Sequence, residues 1–376
     1  MKKLTIAFLL LTLSALTSWA GDFQKGMSAY ESGDYTTAFK EFAASAEQGN
    51  VGAQYYLGYM YYFGEGVPQD YKQAEKWSTK AAEQGNADAQ YLLGDMYGNG
   101  EGVPQDYKQA AKWNTKAAEQ GNAWAQVSLA LMYDNGHGVP QDYKQAAKWY
   151  TKAAEQGNVR AQNDLALMYD NGHGVPQDYK QAAKWYTKAA EQGNLTAQYN
   201  VAVRNYIGQG VPQDYKQAAQ WFTKAAERGD ANAQYNLGVM YDTGQGVPQD
   251  YKQAVNWYVE AVQQGHAKAQ NNLANAYAEG KGVLPQNYKR AMQWYARAAA
   301  QGVAEAQSNL ALLYVNGQGV PQDNVYAHMW FNLAAANGRE TASKDRDMIA
   351  KRMTTADISK AQSLARECLK RNYKGC

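Results

Sequence analysis

Two histidines occupy the same setting 36 residues apart, as Gly136-His137-Gly138 and Gly172-His173-Gly174. Matched imidazoles are what a shared metal site would be built from. The surroundings do not support one. Packed neighbours in a helical stack sit about 10 Å apart, and no Cys or carboxylate is fixed beside either ring. His266 and His328 stand alone, and the chain holds no Gly-x-Ser-x-Gly, no His-Glu-x-x-His and no strand-led phosphate loop. The Gly-x-Gly turns read instead as helix ends. No catalytic residue, metal ligand or cofactor site is predicted.

The two cysteines, Cys368 and Cys376, could form a disulfide. On an unbroken helix they would lie about 12 Å apart at 1.5 Å per residue, beyond the roughly 7 Å that a bond spans. The helix must therefore stop after Cys368, and Asn372 and Gly375 permit the chain to turn back. In an oxidising compartment the bond is predicted, contributing about 2–3 kcal/mol to the chain end. Trp77, Trp113, Trp149, Trp185, Trp221, Trp257, Trp294 and Trp330 form a regular series that could stack ligands. Each lies on a stripe of Ala and Tyr, so a packed core spine is predicted.

The spacing of these residues points to the elements that carry them. Val-Pro-Gln-Asp begins at Val67, Val103, Val139, Val175, Val211 and Val247, a period of 36. It returns with one extra residue as Val283-Leu284-Pro285-Gln286-Asn287, and intact at Val320. Leu129–Asn158 is identical, residue for residue, to Leu165–Asn194. Such a period means a stacked array whose copies touch their neighbours. Taking Val51–Gly85 as the type repeat, Ala53, Leu57 and Tyr61 share one helical face. Gly58 costs about 1 kcal/mol of helix propensity, tolerable if a second helix approaches it closely. Gly64-Glu65-Gly66 ends the first helix. Asp70 caps the second, with Gln73 at the capping-box position, and Tyr71, Ala74, Trp77 and Ala81 form its buried stripe.

Ala-x-x-x-Leu-Gly-x-x-Tyr, Gly-x-Gly-Val-Pro-Gln-Asp-Tyr, Ala-x-x-Trp-Tyr and Ala-Ala-Glu-Gln-Gly resemble the Sel-one-like repeat family, a relative of the tetratricopeptide repeat. The match runs from about residue 50 to 338, and Asp34 to Gly49 fits the second half of an earlier copy, making about nine. The resemblance implies an all-α, right-handed α-solenoid of stacked antiparallel helix pairs, with one helix of each pair lining a concave groove, and a role as a protein–protein adaptor. Some disulfide-rich relatives have been linked with penicillin binding and β-lactam hydrolysis. They carry a cysteine pair in each copy, and these repeats carry none.

Positions that must pack stay fixed from copy to copy, so the slots that vary are solvated or used. In the first helix these are 52, 55, 59, 62 and 63, plus multiples of 36. They fall opposite Ala53, Leu57 and Tyr61. The partner-binding groove is predicted to comprise Tyr55, Tyr59, Tyr62, Asp88, Tyr91, Asp95, Trp124, Arg160, Asn163 and Tyr199. Aromatic and Arg side chains dominate interface hot spots, which favours the second to fourth repeats. The sixth repeat departs from the pattern. Arg204 and Asn205 replace the residues at Met60 and Tyr61, either as a functional polar insertion or as a weak point, with Tyr206 shifting to fill the tyrosine place.

Lys2 and Lys3, the apolar run Leu4–Leu16 and Ser18-Trp19-Ala20 form a secretory signal peptide, residues 1–20, too short to span a membrane. No Cys follows the cleavage site, so a lipid anchor is not expected. Removing it lowers the basic count from 37 to 35, equal to the acidic count. A near-neutral chain argues against a phosphate-driven nucleic-acid partner. The expected organisation is a solenoid over 21–338 and capping helices over 339–376, in a monomeric periplasmic or secreted protein. Its expected partner is another envelope or secreted protein, or an extended peptide. A cell-wall ligand binder or β-lactam enzyme is the alternative, and a secreted host-interaction factor the third.

Overall fold

The computed structural model describes residues 23–373 and 375–376, and the segment read as a signal peptide lies outside them. These residues form two compact bodies that meet at Gln192 and Gly193 in the sequence. The first holds α1 (residues 23–31), α2 (Tyr35–Glu47), α3 (Val51–Phe63), α4 (Tyr71–Glu83), α5 (Ala87–Asn99), α6 (Tyr107–Glu119), α7 (Ala123–Asn135), α8 (Tyr143–Glu155), α9 (Val159–Asn171) and α10 (Tyr179–Glu191). The second holds α11 (Leu195–Ile207), α12 (Tyr215–Glu227), α13 (Ala231–Thr243), α14 (Tyr251–Gln263), α15 (Ala267–Glu279), α16 (Tyr288–Ala299), α17 (Ala304–Asn316) and α18 (Asn324–Ala336), closed by α19 (Glu340–Ala350) and α20 (Thr355–Lys370). No strand occurs among the described residues. The class is an all-helical solenoid of paired helices.

Local chemistry explains each boundary. Asn50 accepts a hydrogen bond from the Ala53 N–H at 2.9 Å and starts α3, and Gly64 ends it in the left-handed conformation. Asp70 accepts from the Lys72 and Gln73 N–H groups and starts α4. The pairing within a repeat is as tight as the small residues suggested: a Cβ on Gly58 would lie 2.5 Å from Ser78 Oγ on α4. The second glycine of the loop locks one repeat onto another. A Cβ on Gly102 would lie 2.4 Å from the carbonyl oxygen of Tyr71, at the start of the preceding α4.

Trp77, Trp113, Trp149, Trp185 and Trp330 are buried, and Trp221, Trp257 and Trp294 partly so. The ladder is core, roofed by cations: Lys80, Lys116, Lys152 and Lys188 each place Nζ 4.3 Å from the indole one turn earlier. At the far end, Thr354 caps α20 by accepting from the Asp357 N–H. The chain then reverses through Asn372 and Tyr373, both at positive φ, and Cys368 is bonded to Cys376 with Cα atoms 5.6 Å apart.

Candidate functional site

In the first body α3, α5, α7 and α9 each start at an Asn cap and run for thirteen residues, so equivalent slots face the same way in these repeats. Within the first body α3 touches α5, and α5 touches α7, while contacts between successive second helices are sparser. From α3 to α7 the first helices line one continuous side of this body. This is the side on which the varying slots lie.

On α3, Tyr55 and Tyr59 are half-buried with ring centres 6.0 Å apart, and Tyr59 meets the exposed Phe63 at 4.4 Å. Burial, and then the Asp88 carboxylate and the neighbouring tyrosines including Tyr91, push the Tyr55 hydroxyl well above its ordinary range. Tyr91 on α5 lies near Ser128 on α7 and feels the Arg160 guanidinium of α9. Four repeats therefore contribute to one connected wall. Asp88 accepts from Asn122 Nδ2 at 2.7 Å, fixing an exposed carboxylate at its rim. Trp124 fills the next copy of that slot and is 57% exposed. Arg160 fills the one after and reaches Asp164 at 3.7 Å. Burial holds the Asp95 and Asp164 carboxyls above the usual carboxylate range.

Tyr62 departs from the other predicted groove residues. It is 9% exposed, and its hydroxyl donates to Asp95 at 3.3 Å and to Glu101. It ties two repeats together and is not available to a partner. Asn163 is half-buried, with its Nδ2 donating to Asp164 at 3.1 Å. Tyr199 belongs to the second body, where its ring lies 5.9 Å from Phe222.

Ser128 and Asp164 were missed by the sequence reading. Both occupy the slot of Tyr56, which holds Tyr, Leu, Ser and Asp in the first four matched copies and Asn in the last four, and so carried a readable signal. Two open cavities follow along the wall. One, of about 350 Å³, is lined by Asp95, Gly98, Asn114, Ser128 and Leu131 among others. The other, of about 260 Å³, lies one repeat on, beside Asp134, Tyr150, Arg160, Asp164 and His173.

The remaining candidates are structural. His137 stacks on Tyr107 at 4.9 Å and His173 on Tyr143 at 5.3 Å, while His266 Nδ1 caps α15 by accepting from the Ala269 N–H. Among the described residues no three His, Cys, Asp or Glu side chains gather as metal ligands would. Arg204 and Asn205 are buried. Arg204 donates to the Gln209 carbonyl at 3.4 Å and Asn205 to the Val201 carbonyl at 2.9 Å. Tyr206 does not move inward to replace a tyrosine. It stays on the repeat junction, where its hydroxyl bonds to Gln245 at 2.7 Å.

The helix pairs, their caps and their spacing agree with a known repeat. The Sel1 repeat model matches eight consecutive segments, at 51–86, 87–122, 125–158, 159–194, 195–230, 231–266, 267–303 and 304–338. The chain is a Sel1 repeat protein. A further helix pair, α1–α2, precedes the first matched segment, with a shorter connection. Among solved structures, c5321, a protective antigen of uropathogenic Escherichia coli with an SLR fold, is 33% identical over 97% of this chain and 95% of its own, with a TM-score of 0.58. A Sel1 repeat protein from Oxalobacter formigenes is 35% identical over 82% of this chain and 89% of its own, with a TM-score of 0.60. No curated protein matches the chain. Sel1 repeat proteins are in general scaffolds for protein–protein interaction, and no helix among the described residues is long and apolar enough to cross a membrane.

Proposed function

We propose that this Sel1 repeat protein is an exported, non-enzymatic scaffold that holds a partner protein or extended peptide on the first-helix wall of its first body. The observation that carries the reading is Trp124. A large indole stands 57% exposed in a slot whose neighbouring copies hold Asp88 and Arg160, on the same first-helix side as the half-buried Tyr55, Tyr59 and Tyr91. Rigid aromatic side chains with polar flanks are the usual composition of an interface hot spot. Export is supported by the N-terminal Lys2 to Ala20 pattern and by the Cys368–Cys376 bond, which persists in oxidising compartments. It also suits a family in which one relative is a protective antigen.

The test is crosslinking and capture from the native cell envelope with wild type and with Tyr55→Ala/Tyr59→Ala/Trp124→Ala. Capture is expected to fall at least tenfold in the variant, a loss of about 1.4 kcal/mol or more. Equal recovery from both would remove the wall as the binding face. Incubation with nitrocefin and a fluorescent penicillin checks the enzymatic alternative, and turnover or covalent labelling would overturn the scaffold-only reading.

A further inference from the structure

The larger cavity is a place where the repeat has lost a ring. Sister copies put Tyr150, Tyr186, Phe222 and Tyr258 at one slot of the second helix, and all four are buried. The third repeat has Asn114 there. In the seventh repeat the ring runs between two neighbours, and the Tyr258 hydroxyl meets Asp242 at 3.4 Å and Asn272 at 3.1 Å. The equivalents of those two residues around Asn114 are Gly98 in the third repeat and Ser128 in the fourth. Three small residues thus coincide, and about 350 Å³ stands open around them. The second repeat shows that such a loss can be filled from within. It has Ser78 at the ring slot, but Leu92 and Tyr62 occupy the flanking positions and are buried.

Asn114 is the second observation. It is 3% exposed and lines this cavity, and its Oδ1 has no hydrogen-bond partner. Its Nδ2 has only the weak acceptor Met132 Sδ at 3.9 Å. An orphaned buried carbonyl costs about 1–3 kcal/mol, so the space is shaped for a ring and wired for a polar tip. Because Asn114 comes from the second helix, it forms the floor seen from the first-helix wall.

We propose that this cavity is the anchor pocket of the wall, and that it takes a tyrosine side chain of an extended partner peptide, hydroxyl foremost. The ring fills the volume that sister repeats fill with their own Tyr or Phe. The phenolic hydroxyl donates to Asn114 Oδ1, which a turn of the buried amide about its Cβ–Cγ bond brings to the cavity. A hydroxyl also accepts, so it satisfies this amide in either orientation, which an indole N–H does not. The peptide as partner rests on the scaffold reading above; the pocket itself does not.

Methyl-labelled Met132, which touches Asn114, reports on the site without any partner. N-acetyl-tyrosinamide is titrated into the full chain and compared with N-acetyl-phenylalaninamide. The expected result is a saturable Met132 shift for the tyrosine probe, with a midpoint about fivefold lower than for phenylalanine, the value of one hydrogen bond. In Asn114→Tyr, which restores the sister residue, the shift is expected to vanish while the melting temperature holds or rises. Gly98→Asp, also a sister residue, is a second block. A Cβ at Gly98 would meet only Ala110 Cβ, at 3.9 Å, so it enters without a clash. No saturable shift in wild type, or an unchanged shift in both blocked variants, would overturn the pocket. Equal midpoints for the two probes would overturn the hydroxyl assignment. Failure of envelope capture alone would leave the pocket standing and remove the scaffold reading.

Discussion

At the scale of single residues, variation between copies picks out one side of the first helices but does not separate free positions from paired ones. Tyr62 varies from copy to copy because its partner varies with it. The loop slot that holds Glu101 for Tyr62 holds Gln245 for Tyr206 and Glu65 for Tyr30, and each hydroxyl bonds across to it. His137 and His173 fill that slot where the neighbouring helix offers Tyr107 and Tyr143 to stack on. The histidines that resembled a metal pair are thus one variant of a junction contact. Asp95 lies at such a junction too, and its protonation carries a pH prediction. Burial raises its pKa above the ordinary value, so the folded state favours the protonated acid. Its carboxylate therefore lowers stability as pH rises from the ordinary carboxylate value through the raised one. Asp95→Asn keeps an acceptor for the Tyr62 hydroxyl and removes the buried charge. Thermal melts are expected to show the variant above wild type at pH 7 and level with it near pH 3. A variant that melts below wild type at pH 7 would contradict the assignment.

Helix boundaries were legible because they depend on local chemistry: an Asn or Asp cap, a left-handed glycine, a proline that forces extension. What joins one repeat to the next was less legible, since its main device is polar. Gln90 is present in each of the eight matched copies as the residue after the invariant Ala, and its constancy marks a packed position without telling which groups the amide meets. The structure buries it to 4% exposure. Its Nε2 donates to the Ala82 carbonyl at 2.9 Å, near the end of α4, and its Oε1 accepts from Gln120 Nε2 at 2.7 Å, beyond the end of α6. One side chain thereby holds three helices, and Gln54, Gln126 and Gln162 repeat the arrangement. Gln90→Leu preserves the bulk and removes both bonds, at an expected cost of about 1–2 kcal/mol in urea unfolding. Gln90→Glu is expected to cost more than Leu. It cannot donate, and it places a buried negative charge against carbonyls at a helix C-terminus. If the two variants were equally stable, the clamp would be packing alone.

For the whole molecule, the repeat makes stability a sum of copies and junctions, and the sequence contains a built-in test of that sum. Leu129–Asn158 and Leu165–Asn194 are identical, so deleting residues 159–194 joins Asn158 to Leu195 with the same thirty residues before the joint as in the intact chain. Every side chain that α10 and its flanking loops present is then presented by α8. A fold held by one central core would not survive the loss of two whole helices, α9 and α10. A stacked array should lose only their contribution. The shortened protein is expected to keep its helical circular dichroism per residue and to melt cooperatively, a few degrees below the parent at most. Arg160, Asn163, Asp164 and the smaller cavity that α9 helps line are removed with the deletion, while Asn114, Gly98 and Ser128 remain. The N-acetyl-tyrosinamide shift at Met132 should therefore persist in the deletion variant. Loss of helicity would refute the additive picture. Loss of the Met132 response in a folded variant would mean that the anchor pocket draws on α9 as well as on the third and fourth repeats.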